Sequence, residues 1–145
     1  MKRIAALIDF SEVTPKVIDF SAGQARAHDA ELYLLHVEPE SGLKLYRKID
    51  AGERKRKADT LRDEHRSLLA RAAELREHMD IRVHPVLMEG AKVEETILAE
   101  VRKLEADHVV LGKHNHSGLY EYFFGSVGKD LIKDLDCPLT LISAD

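Results

Sequence analysis

A single cysteine in 145 residues leaves no disulfide framework, and the default setting for such a chain is a reducing cytoplasm. Long apolar runs are missing too. None approaches the roughly 20 residues that span a bilayer. The N-terminal MKRIAALIDF starts basic and then apolar, as a signal peptide does, but Asp9 cuts the run off and no small-residue cleavage site follows. Charge of one sign is scarce as well: the formal net charge of −4 gives no general attraction to nucleic acid or to an anionic membrane. Neither partner is expected. The sequence has no low-complexity tract and no convincing internal repeat. It also lacks a Gly-x-Ser-x-Gly elbow, a Gly-x4-Gly-Lys-Ser/Thr loop and a Gly-x-Gly-x2-Gly fingerprint. No base is placed by sequence beside Ser11 or Ser126, so an enzyme is not expected, and weak ATP hydrolysis in a phosphate site is the most these residues suggest.

What is present suits one domain over residues 1–145, long enough to bury a sizeable core without staples. The hydrophobic fraction of 44% and charged fraction of 33% are those of a soluble globular protein. Residues 3–9 (RIAALID) are too short for a buried helix and read as a core strand ending at Asp9. Thr14-Pro15 supplies an N-cap and a first-turn proline for a helix to about His28. Residues 31–37 (ELYLLHV) are nearly all apolar, as a parallel strand covered on both faces should be. A loop is expected over 38–52. From Glu53 to Met79, Leu61, Leu68, Ala72, Leu75 and Met79 keep a helical period through dense charge. The basic run Arg54–Lys57 is read as a solvated helix face rather than a nucleic-acid patch. Residues 81–88 form a strand whose Pro85 suggests a sheet edge. A helix with Val93, Ile97, Val101 and Leu104 follows, then an apolar run, Val109–Leu111, stopped by a Gly112 that reads as a backbone needing freedom.

A twelve-residue loop follows Gly112, polar and then aromatic, and closes at Gly125-Ser126 before a helix from Val127 to about Asp136. The last strand is 138–143. Strand, long loop, Gly-Ser and helix in that order make an anion site, above all for phosphate. The alternation of strands and helices predicts an α/β fold, an open parallel sheet with helices on both faces. Ligands of such sheets bind beyond the carboxyl ends of the strands, where strand order reverses.

LIDFSE at Leu7–Glu12, LLHVE at Leu34–Glu38, ADHVVLGKH at Ala106–His114, FGSV at Phe124–Val127 and CPLTLI at Cys137–Ile142 resemble the universal stress protein family, in order and over essentially the whole chain. The resemblance implies a three-layer, five-stranded parallel sheet of order 3-2-1-4-5, of the adenine-nucleotide alpha-hydrolase-like type. It also implies a cytoplasmic stress-response regulator, homodimers and, in one branch, ATP, with or without Mg²⁺. In that branch a Gly-x2-Gly-x9-Gly-Ser/Thr pattern holds phosphates and ribose. Laid on this chain it gives Gly112, Asn115 and Gly125-Ser126, with asparagine where the second glycine stands. By the same resemblance Asp9 sits by the nucleotide and the backbone of Val37 meets the adenine. Lys113 and His114 add donors, and Val127 opens the helix behind the phosphates.

A glycine at position 115 serves either a positive φ, which asparagine tolerates best of the others, or close approach of backbone to phosphate, which an asparagine side chain obstructs. The alternative function is therefore a nucleotide-free dimeric module that recruits an unknown protein partner. Asp9 has two readings: an Asx turn into the first helix, or contact with a nucleotide or its metal. His36, inside a strand, reads as a buried hydrogen-bonded residue. His84, His108, His114 and His116 lack the partners of a zinc site, so no metal is expected. Cys137 reads as a small buried thiol, and Tyr120, Tyr122, Phe123 and Phe124 as packing over the sheet end. The final strand, uncharged and at an expected sheet edge, predicts a homodimer joined through residues 138–144.

Overall fold

Strand residues that are apolar on both faces can be buried only between two layers of helix. The computed structural model, which describes residues 1–39, 51–113 and 131–143, has that architecture. Five strands, β1 (Arg3–Leu7), β2 (Glu31–Pro39), β3 (Val83–Gly90), β4 (His108–Lys113) and β5 (Leu139–Ser143), pair all-parallel in the order β3-β2-β1-β4-β5. The helices are α1 (Thr14–His28), α2 (Ala51–Met79) and α3 (Val93–Lys103), with a further helical stretch at 131–134.

Successive strand residues point to opposite faces, and the core divides accordingly. Ile4, Ala6, Leu32, Leu34 and Val110 pack with Val17, Ile18, Ala22 and Ala25 of α1 and Leu68, Ala72 and Leu75 of α2. Ala5, Leu7, Leu35, Val37, Val109 and Leu111 pack on the other face with Val93, Ile97, Val101 and Leu131. Of the helical period expected in α2, Leu68, Ala72 and Leu75 are buried in the core and Met79 packs against it, whereas Leu61 is half-buried and outside it. The outer face of α2 is polar, with Lys55 and Arg56 exposed and the pairs Arg62–Asp59 and Arg66–Asp63 lying along the surface. Strand β3, with Pro85, is at one sheet edge and β5 at the other. No helix among the described residues is long and apolar enough to cross a membrane.

Several boundaries differ from expectation. Strand β1 ends at Leu7 rather than Asp9, and β2 runs on through Glu38 to Pro39, where a loop was expected. Strand pairing with β3, Glu38 against Glu89 and Pro39 against Gly90, carries β2 those extra residues. Thr14 is the first residue of α1 and not its cap: Val13 holds the cap position without a side-chain bond, and Pro15 lies in the first turn. The Thr14 hydroxyl instead donates to Asp9 Oδ1 at 3.1 Å.

Candidate functional site

The carboxyl end of the sheet is not flush. The last β1 pairings are Leu7 with Leu35 of β2 and with Leu111 of β4, yet β2 continues to Pro39 and β4 to Lys113. A notch therefore opens above β1, between β2 and β4, where the strand order reverses. That is where an open α/β sheet receives a ligand. Its floor is the turn from β1 into α1.

Asp9 organises that turn. Its Oδ1 accepts the Ser11 amide at 2.9 Å and the Thr14 hydroxyl at 3.1 Å. Of the two readings of Asp9, the Asx turn is thus present in the structure. Between them Phe10 has φ 59, the left-handed region, in which a bulky side chain costs roughly 1–2 kcal/mol.

Val37 is buried among the second-face residues, and its backbone has a definite orientation. Along a strand the N–H and C=O of one residue point to the same side, alternating from residue to residue. The Glu31 amide bonds to Lys2 C=O and the Ile8 amide to Leu35 C=O, both at 2.8 Å, so the odd residues of β2 face β1. The N–H and C=O of Val37 therefore face the side on which β1 has already ended. A donor and an acceptor on one edge match the paired acceptor and donor of a heteroaromatic base.

Gly112 corrects the expectation of backbone freedom. It lies inside β4, and none of the described glycines has a positive φ. What its position requires is closeness: an added Cβ would collide with Val13 Cγ1 and crowd Val17 Cγ2 at the start of α1. Lys113 ends β4 and is exposed at the notch rim, opposite Ser143 of β5. Of the predicted site residues, the structure thus brings Asp9, Val37, Gly112 and Lys113 to one end of the sheet. His114, Asn115, Gly125, Ser126 and Val127 lie outside the described residues, as do His116 and the aromatics at 120–124.

His36 is a buried hydrogen-bonded residue, as expected. Its Nδ1 lies 2.7 Å from the Ile8 carbonyl and its Nε2 2.9 Å from Glu38 Oε2. Sequence reasoning missed what joins it there. The Phe10 ring lies 4.5 Å from the imidazole, and His65 of α2 lies 5.8 Å away. The period of two was a usable signal, since His36 and Glu38 extend the Leu32, Leu34 face of β2. Two other histidines are paired singly, His84 with Glu31 and His108 with the Thr140 hydroxyl. Among the described residues no three His, Cys, Asp or Glu side chains converge as metal ligands. Cys137 is only partly buried, and burial first, then Asp107 and Asp136, pushes its thiol pKa up.

The amino end of the sheet also has a hollow, of different chemistry. A cavity of about 630 Å³ is lined by Lys2, Arg3, His28, Asp29, Glu31, Arg82, Glu105 and Asp107. Its charges answer one another: Arg3 pairs with Glu105, Arg82 with Asp29 and Glu31, and Asp107 Oδ2 accepts the Lys2 and Arg3 amides. Mixed, mutually paired charge leaves little for an anion, so the notch is the better candidate despite its smaller described lining.

The model of the universal stress protein family matches residues 1–143. A universal stress protein of Methanocaldococcus jannaschii is 26% identical over 144 residues, covering 97% of this chain and 81% of the relative. Among solved structures, a universal stress family protein from Burkholderia pseudomallei superposes with a TM-score of 0.69 at 22% identity, covering 97% of this chain and 95% of that one. The universal stress protein from Archaeoglobus fulgidus in complex with dAMP gives 0.63 at 20% identity, with 98% of each chain covered. At such identities these structures establish the shared fold.

Proposed function

The chain belongs to the universal stress protein family, and from that premise we propose that it is a cytoplasmic stress-response regulator that binds ATP, with Mg²⁺ on the phosphates, in the notch above β1. The observation that carries the reading is the notch at the switch point, with Val37 N–H and C=O facing the side where β1 has ended. The adenine edge meets Val37, the Asp9 turn lies beside the ribose and phosphates, and Gly112 and Lys113 lead toward the Gly125-Ser126 anion site of the sequence pattern. The complex of a fold relative with dAMP supports an adenine nucleotide as the class of ligand. The role is binding rather than turnover. Calorimetric titration with ATP and Mg²⁺ tests it: a one-site isotherm is expected, and no heat with no thermal shift at millimolar nucleotide refutes it.

A second reading, the nucleotide-free interaction module, is favoured by one observation, Asn115 in place of the motif glycine. The same titration of Asn115→Gly separates the two. Under the second reading only the variant binds; under the first both bind.

Either reading includes a homodimer through β5. This strand is a sheet edge and Leu141 on it is 43% exposed. The Val109 amide bonds to Pro138 C=O, so the alternation turns Leu141 N–H outward, to the free edge. Leu141→Pro removes that edge donor without touching the β4 ladder. Light scattering should show the dimer becoming monomer or aggregate, and an unchanged dimer would place the interface elsewhere.

A further inference from the structure

We propose that Phe10, His36, Glu38 and His65 form a proton-operated latch that holds the middle of α2 on the carboxyl ends of β1 and β2, closed near neutral pH and released when His65 takes up a proton. The latch needs no ligand and stands apart from the nucleotide reading. It begins with His36, whose ring is bracketed by two acceptors, the Ile8 carbonyl at 2.7 Å and Glu38 Oε2 at 2.9 Å. A neutral imidazole carries only one N–H. The site is well enclosed, the His36 and Glu38 side chains being 9% and 15% exposed.

His65 arrives from α2. Its ring stands edge-on to His36 at 63° and 5.8 Å, and 6.2 Å from Phe10, whose left-handed backbone belongs to the turn after β1. Its Nε2 is buried with no hydrogen-bond partner. A proton placed on that nitrogen would find no acceptor. Burial, then the His36 charge, hold the His65 pKa below its ordinary value, while Glu38 and Glu89 pull it weakly upward. Among the described residues the charged groups facing it are thus His36 and Glu38 from β2, Glu89 from β3 and, on its own helix, Glu64, whose carboxyl burial pushes up. The turn after β1 contributes the Ile8 carbonyl and the Phe10 ring, neither of them charged.

The position along α2 gives the latch its leverage. The buried anchors of this helix among the described residues are Leu68, Ala72 and Leu75, all C-terminal to His65. None of the residues of α2 before Leu68 whose burial is described is fully buried, so the cluster is the hold inferred for that part of the helix. Because the folded pKa is depressed, the unfolded or opened chain binds the proton first. The stabilisation is complete above the free-histidine value of about 6.5 and is lost as pH falls below it toward the folded value.

The test is proton NMR of the histidines with hydrogen exchange on the intact protein between pH 7.5 and 5. The His65 midpoint should lie below about 6.5. The protection factors of residues 61–66 should fall through the acid range, by about tenfold for each unit of that depression, while β1 and β4 amides stay protected. His65→Phe keeps a ring and cannot charge, so its protection should not change over this range. His36→Gln removes the neighbouring charge and should raise the His65 midpoint. A wild-type midpoint at or above 6.5, parallel loss of protection in His65→Phe, or an unmoved midpoint in His36→Gln overturns the latch; the wild-type titration decides alone if a variant does not fold.

Discussion

The two ends of one sheet are built on different terms. At the amino end every strand start is tied. Asp107 accepts the amides of Lys2, just before β1, and of Arg3, its first residue, the Glu31 amide bonds across to Lys2, and the Tyr33 hydroxyl, His84 and Arg82 all converge on Glu31. That convergence, led by the Tyr33 hydrogen bond, holds the Glu31 carboxyl below its ordinary pKa. At the carboxyl end β1 stops short of its neighbours, Phe10 is left-handed, and Ser11 Oγ and His65 Nε2 are buried without partners. Left-handed residues and unpartnered buried atoms occur at both ends; what sets the carboxyl end apart is the stagger of β1 against β2 and β4, and that stagger favours it for the proposed site.

The comparison can be broken most forcefully at Gly112. Alanine there collides with Val13, a β-branched residue that is 1% exposed and cannot turn aside. Gly112→Ala should cost about 1–3 kcal/mol in denaturant unfolding. An unchanged midpoint would mean that β4 and α1 do not close on each other under the notch. Asp107→Ala probes the amino end, where two amides lose their acceptor. The expected loss is about 1–2 kcal/mol, with nucleotide titration unaffected. If nucleotide heat vanished with it, the two ends would not be separable.

Much of the fold was legible because its signals are periodic. Apolar runs on both faces gave the parallel strands, Leu61 to Met79 gave α2, and Pro85 and the uncharged 138–143 segment pointed to the two edges. What escaped depends on tertiary reach. Ile8 and Asp9 read as strand because they continue an apolar run, yet the Asp9 carboxylate turns the chain by binding Ser11 and Thr14. Gly112 read as a conformational need, and the reason lies in a helix almost a hundred residues earlier. Of the candidate site, Asp9, Val37, Gly112 and Lys113 lie at the carboxyl end of the sheet, as strands ending there imply, whereas the His65 contact has no local signature, since it joins a strand end to a helix through two side chains.

The smallest expected effect sharpens the comparison from the amino side. The helices hand over to the next strands through left-handed residues that are acidic rather than glycine: Asp29, Asp80 and Glu105, at φ 51, 52 and 53. An acid there is strained and faces the negative end of the helix dipole. Asp80→Gly should raise stability by about 0.5–1 kcal/mol, measured by thermal or denaturant unfolding, and should leave the notch untouched. A loss of stability would mean that Asp80 makes an interaction worth more than its strain.

Amide chemical-shift mapping with ATP and Mg²⁺ tests the central claim, that the staggered carboxyl end is the nucleotide site. The account predicts perturbations at Val37, at Asp9 to Ser11 and at Gly112 and Lys113, with Lys2, Arg3, Glu31 and Arg82 silent. Shifts confined to those amino-end residues, or none anywhere at millimolar nucleotide, would contradict it.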